Sequence, residues 1–123
     1  MQADKKLLGA FGEDEACKYL RRHGYRLLSR NFSCRFGEID IIAQKRGFLA
    51  FVEVKLRKDR THGEAREFVT AAKQQRVIRT AEYWLAIHPT ELQPRFDVIE
   101  IYAPEGVQTR KPEILHIEDA YQL

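Results

Sequence analysis

Asp40 and the run Glu53-Val54-Lys55 are the residues of this chain whose types and spacing best suit hydrolytic chemistry. A tight turn at Arg46-Gly47 would close a hairpin between them, with Lys45 facing Phe48. Antiparallel pairing outward from that turn sets Asp40 opposite Glu53 and Glu38 opposite Lys55, all on one face of a sheet. Carboxylates directly across a ladder repel, and the neighbours Ile39, Ile41, Ile42, Phe51, Val52 and Val54 are apolar, so free solvation does not account for the pair. A hard divalent cation would: it takes a few protein oxygens and keeps its waters. Lys55, two residues beyond Glu53, projects to the same face, where it can balance charge and orient or deprotonate a water.

Glu13 is a third candidate ligand. It interrupts an inward helical stripe formed by Gly9, Ala16, Cys17 and Leu20, and an acid in that position is rarely left unpaired. Its partner is open at this level: a shared cation, one of the many arginines, or Lys55.

The elements that must position these side chains follow from periodicity. Asp4 to His23 has helical spacing and stops at Gly24; Tyr25 to Phe32 reads as a strand. A second strand opens at Gly37, with Ile39, Ile41 and Ala43 alternating with Asp40, Ile42 and Gln44, and a third runs from Phe48 to Arg57. Thr70 caps a second helix that continues to His88, burying Gln74, Val77, Ile78, Ala81, Trp84, Leu85 and His88, and Pro89 ends it. Tyr83 and Trp84 read as packing residues of that helix. A fourth strand spans Arg95 to Ala103 and a fifth, weaker one Glu113 to Ile117. The order α-β-β-β-α-β, with a weak last strand, predicts an α/β fold with a mixed central sheet flanked by helices.

Composition sets the outer bounds. At 123 residues and 44% apolar content the chain fits one domain, residues 1 to 123, with a single core. Its longest apolar runs, Phe48 to Val52 among them, are five residues, against about 20 for a membrane helix. Cys17 and Cys34 suit neither a disulfide framework nor a CxxC pair, so the expected location is the cytoplasm. The net charge of +3 is unevenly spread: Glu15 to Arg60 carries +7, the segment before it −1 and the segment after it −3. That basic stretch predicts a polyanionic partner, most simply nucleic acid, or else a solvated charged face. Arg30, Arg35, Arg57, Lys58 and Arg60 flank the strands that carry the acids and are the candidate phosphate contacts. His62 follows the third strand and reads as a solvated loop residue.

Together the residues carry a resemblance. Asp40 followed by Glu53-Val54-Lys55 resembles the PD-(D/E)xK signature of the restriction-endonuclease-like fold, with Ile39 in place of the proline. The strings GEDEA from Gly12, GEIDIIA from Gly37, FVEVKLR from Phe51, Lys73-Gln74 and RFDV from Arg95 resemble the bacterial YraN-type family, itself similar to archaeal Holliday-junction resolvases. The resemblance implies a restriction-endonuclease-like core, Mg2+ or Mn2+ held by Asp40, Glu53, the Val54 carbonyl and Glu13, and Lys55 as the motif lysine. It adds Lys73 and Gln74 on the helix beside the site, DNA, branched DNA included, as substrate, and a homodimer as the assembly. Metal-dependent endonuclease activity is the leading expectation, and a nucleic-acid-binding module that keeps the fold without catalysis is the alternative.

Overall fold

Gly24, at φ 85°, ends the first helix and turns the chain into the sheet. The computed structural model describes residues 4–58 and 70–122. Its elements are α1 (Asp4–Arg22), β1 (Arg26–Cys34), β2 (Gly37–Lys45), β3 (Phe48–Arg57), α2 (Ala71–Ile87), β4 (Gln93–Tyr102), a 3₁₀ turn (Gly106–Gln108) and β5 (Glu113–Tyr121). The strands form one sheet in sequence order, antiparallel except for the parallel β3–β4 pair. A parallel neighbour needs a crossover, and α2 lies on that connection. Arg60, His62 and the rest of residues 59–69 lie outside the described residues.

Two apolar layers hold the helices on. Ala16, Cys17 and Leu20 of α1 pack with Ile41, Ala43, Ala50, Val52, Ile99 and Ile101, whereas Val77, Ile78, Ala81 and Trp84 of α2 pack with Ile42, Leu49, Phe51 and Phe96. Strand alternation sends these sets to opposite faces. The expected helical stripes need correction at three places. Gly12, not Gly9, is the buried glycine of α1, approaching Val54 and Leu56 of β3, while the position of Gly9 has open space around it. Gln74 is only half-buried and His88 is exposed, its ring stacked on Trp84 at 3.7 Å. Thr80 is the buried position that periodicity misses; its hydroxyl donates to the Arg76 carbonyl, which lets a polar side chain sit inside. Thr70 caps α2 as expected, accepting from the Lys73 N–H.

β5 runs four residues past its expected end because of Asp97. This carboxylate, fully buried on β4, accepts two bonds from Arg95 (2.9 and 2.8 Å), one from His116 Nε2 (2.8 Å) and one from the Asp119 N–H (3.0 Å). The last bond falls where the β4–β5 register shifts and Asp119 takes φ 54°, so the bulge is shaped around the acid and lets the strand reach Tyr121, stacked on Phe96. Arg95 also donates to the Tyr25 hydroxyl, and His116 Nδ1 meets the Tyr19 hydroxyl at 3.2 Å, tying β4 and β5 to α1 and the start of β1.

Burial pushes the Asp97 carboxyl up, but the His116 and Arg95 bonds outweigh it and hold the group below its ordinary 3.8. A carboxylate depressed in the fold adds stability that is complete above its unfolded value and is lost as pH falls through its folded one. Asp97→Ala should therefore cost about 3–5 kcal/mol at neutral pH, since it strands a buried guanidinium. Urea melts should show that penalty shrinking below about pH 4; a loss under about 1 kcal/mol, or one that grows in acid, would contradict the assignment.

Candidate active site

The β2–β3 hairpin turns at Arg46 (φ 55°) and Gly47, and pairs Lys45 with Phe48, as the spacing predicts. The ladder continues to Ile41 opposite Val52 and ends there. At the next position the Asp40 side chain takes over: its Oδ2 accepts the Val54 N–H at 2.8 Å. Strict alternation fails at the same point, because Ile39 packs under α2 while Ile41, two residues on, packs under α1. Asp40 thus sits where β2 leaves β3, and its carboxylate spans the opening.

Glu53 is 9% exposed and faces α2. Its Oε2 is held by Lys55 Nζ at 3.3 Å and by Lys73 Nζ from the first turn of α2. Its Oε1 is buried with no hydrogen-bond partner among the described residues. These groups line a cleft of about 360 Å³ with Gly37, Glu38, Asp40, Val54, Arg76 and Val77. The Thr70 cap fixes the start of α2 and so the place of Lys73.

The electrostatics follow from burial and crowding. Asp40 is pushed up to about 6, first by burial and then by the charges of Glu53, Glu13 and Glu38, against the pull of the Val54 N–H. Lys55 is lowered by burial and by the neighbouring Lys73 ammonium, although Glu53 opposes this. Lys73 goes the other way: burial would lower it, but its hydrogen bond and charge pairing with Glu53 raise it. One lysine is thereby moved toward neutrality and the other kept an ammonium.

Other expected site residues are elsewhere engaged. Glu13 Oε1 accepts from Asn31 Nδ2 (3.0 Å) and Arg30 Nε (3.4 Å), so the arginine alternative describes its contacts; its charge still reaches Asp40. Among the described residues no group of three acid, histidine or cysteine side chains converges tightly enough to cage a metal. Asp40 and Glu53 are the pair that fits a cation, because the orphaned Glu53 oxygen lacks a partner and a hard cation accepts few protein oxygens. Arg30 is bound to Asp14 at 2.7 Å, and Arg57 Nε donates to Glu100 at 2.9 Å, so neither stands as a free phosphate contact. Arg35 lies over the Phe36 ring, Lys58 is exposed, and Gln74 sits half-buried on α2.

Two further groups, one beside the cleft and one in it, escape a sequence reading. Glu100 is fully buried and in register with Lys55 on the parallel strand, held by Arg57 and the Tyr102 hydroxyl. An acid inside the apolar run from Phe96 to Tyr102 was its signal, but only the β3–β4 register gives it a neighbour. Arg76 enters the cleft from α2 one turn beyond Lys73.

A family model described as "Uncharacterised protein family UPF0102" matches residues 12–101. The chain belongs to this family. Full-length similarity extends to a UPF0102 protein of Clostridium perfringens (strain ATCC 13124), 39% identical over 124 residues and covering 100% of both chains. A UPF0102 protein of Caldanaerobacter subterraneus subsp. tengcongensis is 39% identical over 122 residues, 98% of each chain. One from Symbiobacterium thermophilum is 48% identical over 101 residues, 80% of this chain and 86% of its own. The YraN-type resemblance is thus borne out. The UPF0102 match spans Glu13, Asp40, Glu53, Lys55 and Lys73 and ends on β4, short of His116 and β5.

Because the folded pKa of Asp40 lies above the unfolded one, its ionisation opposes folding as pH rises from about 4 to 6. Asp40→Asn keeps an oxygen for the Val54 N–H and removes that charge. In chelator at pH 8 it should be more stable than wild type by up to about 3 kcal/mol, the gain fading as pH falls through 6. Thermal melts across that range check it, and a variant no more stable than wild type at pH 8 would refute the charge argument.

Proposed function

We propose that this UPF0102 chain is a metal-dependent phosphodiesterase acting on DNA, built on a restriction-endonuclease-like core akin to that of archaeal junction resolvases. The observation that carries the reading is the buried, unpartnered Glu53 Oε1 in a cleft that also holds Asp40, Lys55 and Lys73. Four ionisable groups crowded into one cleft are hard to explain as a stability device, since an orphaned carboxylate oxygen costs free energy that a salt-bridged pair would recover. Perturbed groups gathered in a cleft are what hydrolytic sites use.

Asp40 and Glu53 would hold the cation, Mg2+ or Mn2+; when bound it polarises a phosphate oxygen and lowers the pKa of the attacking water. Lys55, lowered by burial, is placed to orient that water and take its proton. Lys73, kept charged and paired with Glu53, would offset the negative charge that a phosphate brings to the cleft. No described helix is long and apolar enough to cross a membrane, and the basic stretch from Glu15 to Arg60 suits a polyanion in the cytoplasm. A homodimer would supply paired sites for branched DNA.

Flap, splayed and four-way-junction DNA incubated with the protein in Mg2+ or Mn2+ should be cut, and Asp40→Ala, Glu53→Ala and Lys55→Ala should each lower the rate by about a hundredfold or more. Cleavage that survives Asp40→Ala and Glu53→Ala would place the chemistry elsewhere. Salt-dependent DNA binding without cleavage, and without manganese uptake that depends on Glu53, would favour the non-catalytic binding module.

A further inference from the structure

Outside the cleft, the surface feature with the most unused chemistry is an aromatic and cationic patch where the β1–β2 turn meets α2. Trp84 is buried as a packing residue, but its neighbour Tyr83 is 43% exposed, against the expectation that both pack. Phe36, from the turn, lies 6.3 Å from Tyr83 with the rings inclined at 62°, and Phe32 supports Tyr83 from below at 6.3 Å and 26°. The Arg35 guanidinium sits 4.8 Å over the Phe36 ring. Phe36, Tyr83, Arg79 and Glu82 border a depression of about 380 Å³.

Gly37 creates this arrangement. At φ 149° it carries the turn against α2 so closely that a Cβ there would come within 3.2 Å of the Thr80 hydroxyl and 3.6 Å of Arg76 Cβ. The same glycine lines the cleft. Lys73, Arg76, Arg79 and Tyr83 recur at intervals of three, three and four on α2, which makes one continuous stripe about 15 Å long from the cleft to the aromatic patch.

We infer that this stripe binds an unpaired DNA strand, with a base stacked at Phe36 and Tyr83 and the backbone running past Arg79 and Arg76 toward Lys73. The exposed Tyr83 ring, edged by the half-buried Phe36 and by cations, serves a base that is free to stack, whereas a duplex would engage the arginines and leave the ring idle. Glu38 in the cleft and Glu82 beside the depression repel phosphate, which leaves the backbone contacts to Arg79, Arg76 and Lys73. The inference rests on the phosphodiesterase reading for what happens at the cleft end and adds to it that the strand is single; the binding itself needs no metal.

Fluorescence anisotropy in chelator separates the two. Labelled oligothymidylate of about twelve nucleotides should bind about tenfold more tightly than an abasic strand of equal length and than the matching duplex. Tyr83→Ala should abolish the preference over the abasic strand and Tyr83→Phe should keep it, with circular dichroism confirming that both variants fold. Equal affinity for normal and abasic strands, stronger binding of duplex, or a preference that survives Tyr83→Ala would overturn the proposal. So would sedimentation showing a dimer that Tyr83→Ala dissociates, since the patch would then be an interface between copies. Loss of cleavage with the base preference intact would sink the phosphodiesterase reading and leave the platform standing.

Discussion

A carboxylate standing in for a backbone bond governs this molecule. Where β2 parts from β3, the Asp40 side chain accepts the Val54 N–H that the ladder would otherwise have to satisfy. A buried N–H left without an acceptor costs about 1–3 kcal/mol, so the sheet can open at this point only because an acid is there to close the account. The opening turns one wall of the sheet into a cleft, and it fixes Glu53 and Lys55 one residue to either side of Val54. Gly12, packed against Val54 and Leu56 from α1, supports the same stretch of β3 from the far face.

Two of the buried acids on this sheet are treated in opposite ways. Asp97 has each oxygen satisfied by Arg95, with His116 and the Asp119 N–H completing the set, and the carboxyl is held below its ordinary value. Glu53 is nearly as buried, yet one oxygen has two lysines and the other has no partner among the described residues. The same chain can plainly build a complete shell around a carboxylate. An incomplete shell beside a second acid with a raised pKa is therefore the contrast on which the proposed cation site rests.

The hairpin register was legible because one feature decides it: a tight turn at Arg46-Gly47 sets the pairing of every residue up to Ile41 and Val52. The core faces of α1 and α2 were legible at Ala16, Cys17, Leu20, Val77, Ile78, Ala81 and Trp84, where apolar type and helical period agree. Sequence period failed where a polar side chain brings its own partner inside, as Thr80 does with the Arg76 carbonyl and Glu100 with Arg57 and Tyr102. It also failed for Glu13, for which cation and arginine were equally good partners on paper; only the approach of β1 to α1 puts Arg30 and Asn31 there. The length of β5 was hidden for a similar reason, since the bulge at Asp119 answers to a buried acid on another strand.

Charge partition adds the last step. The basic excess between Glu15 and Arg60 drew attention to the strands, but the structure shows two of those cations, Arg30 and Arg57, bound to acids of the protein itself. A guanidinium already in a hydrogen-bonded pair must give up that partner to take a phosphate, so its net gain is small; Lys55 and Lys73 differ in that they share a single carboxylate oxygen of Glu53. The cations turned toward the cleft, Lys55, Lys73 and Arg76, come from β3 and α2, the last two from the half of the chain whose net charge is negative. Net charge by segment therefore counts cations such as Arg30 and Arg57 that are already paired, while the cations that line the cleft are selected by one strand register and one capped helix.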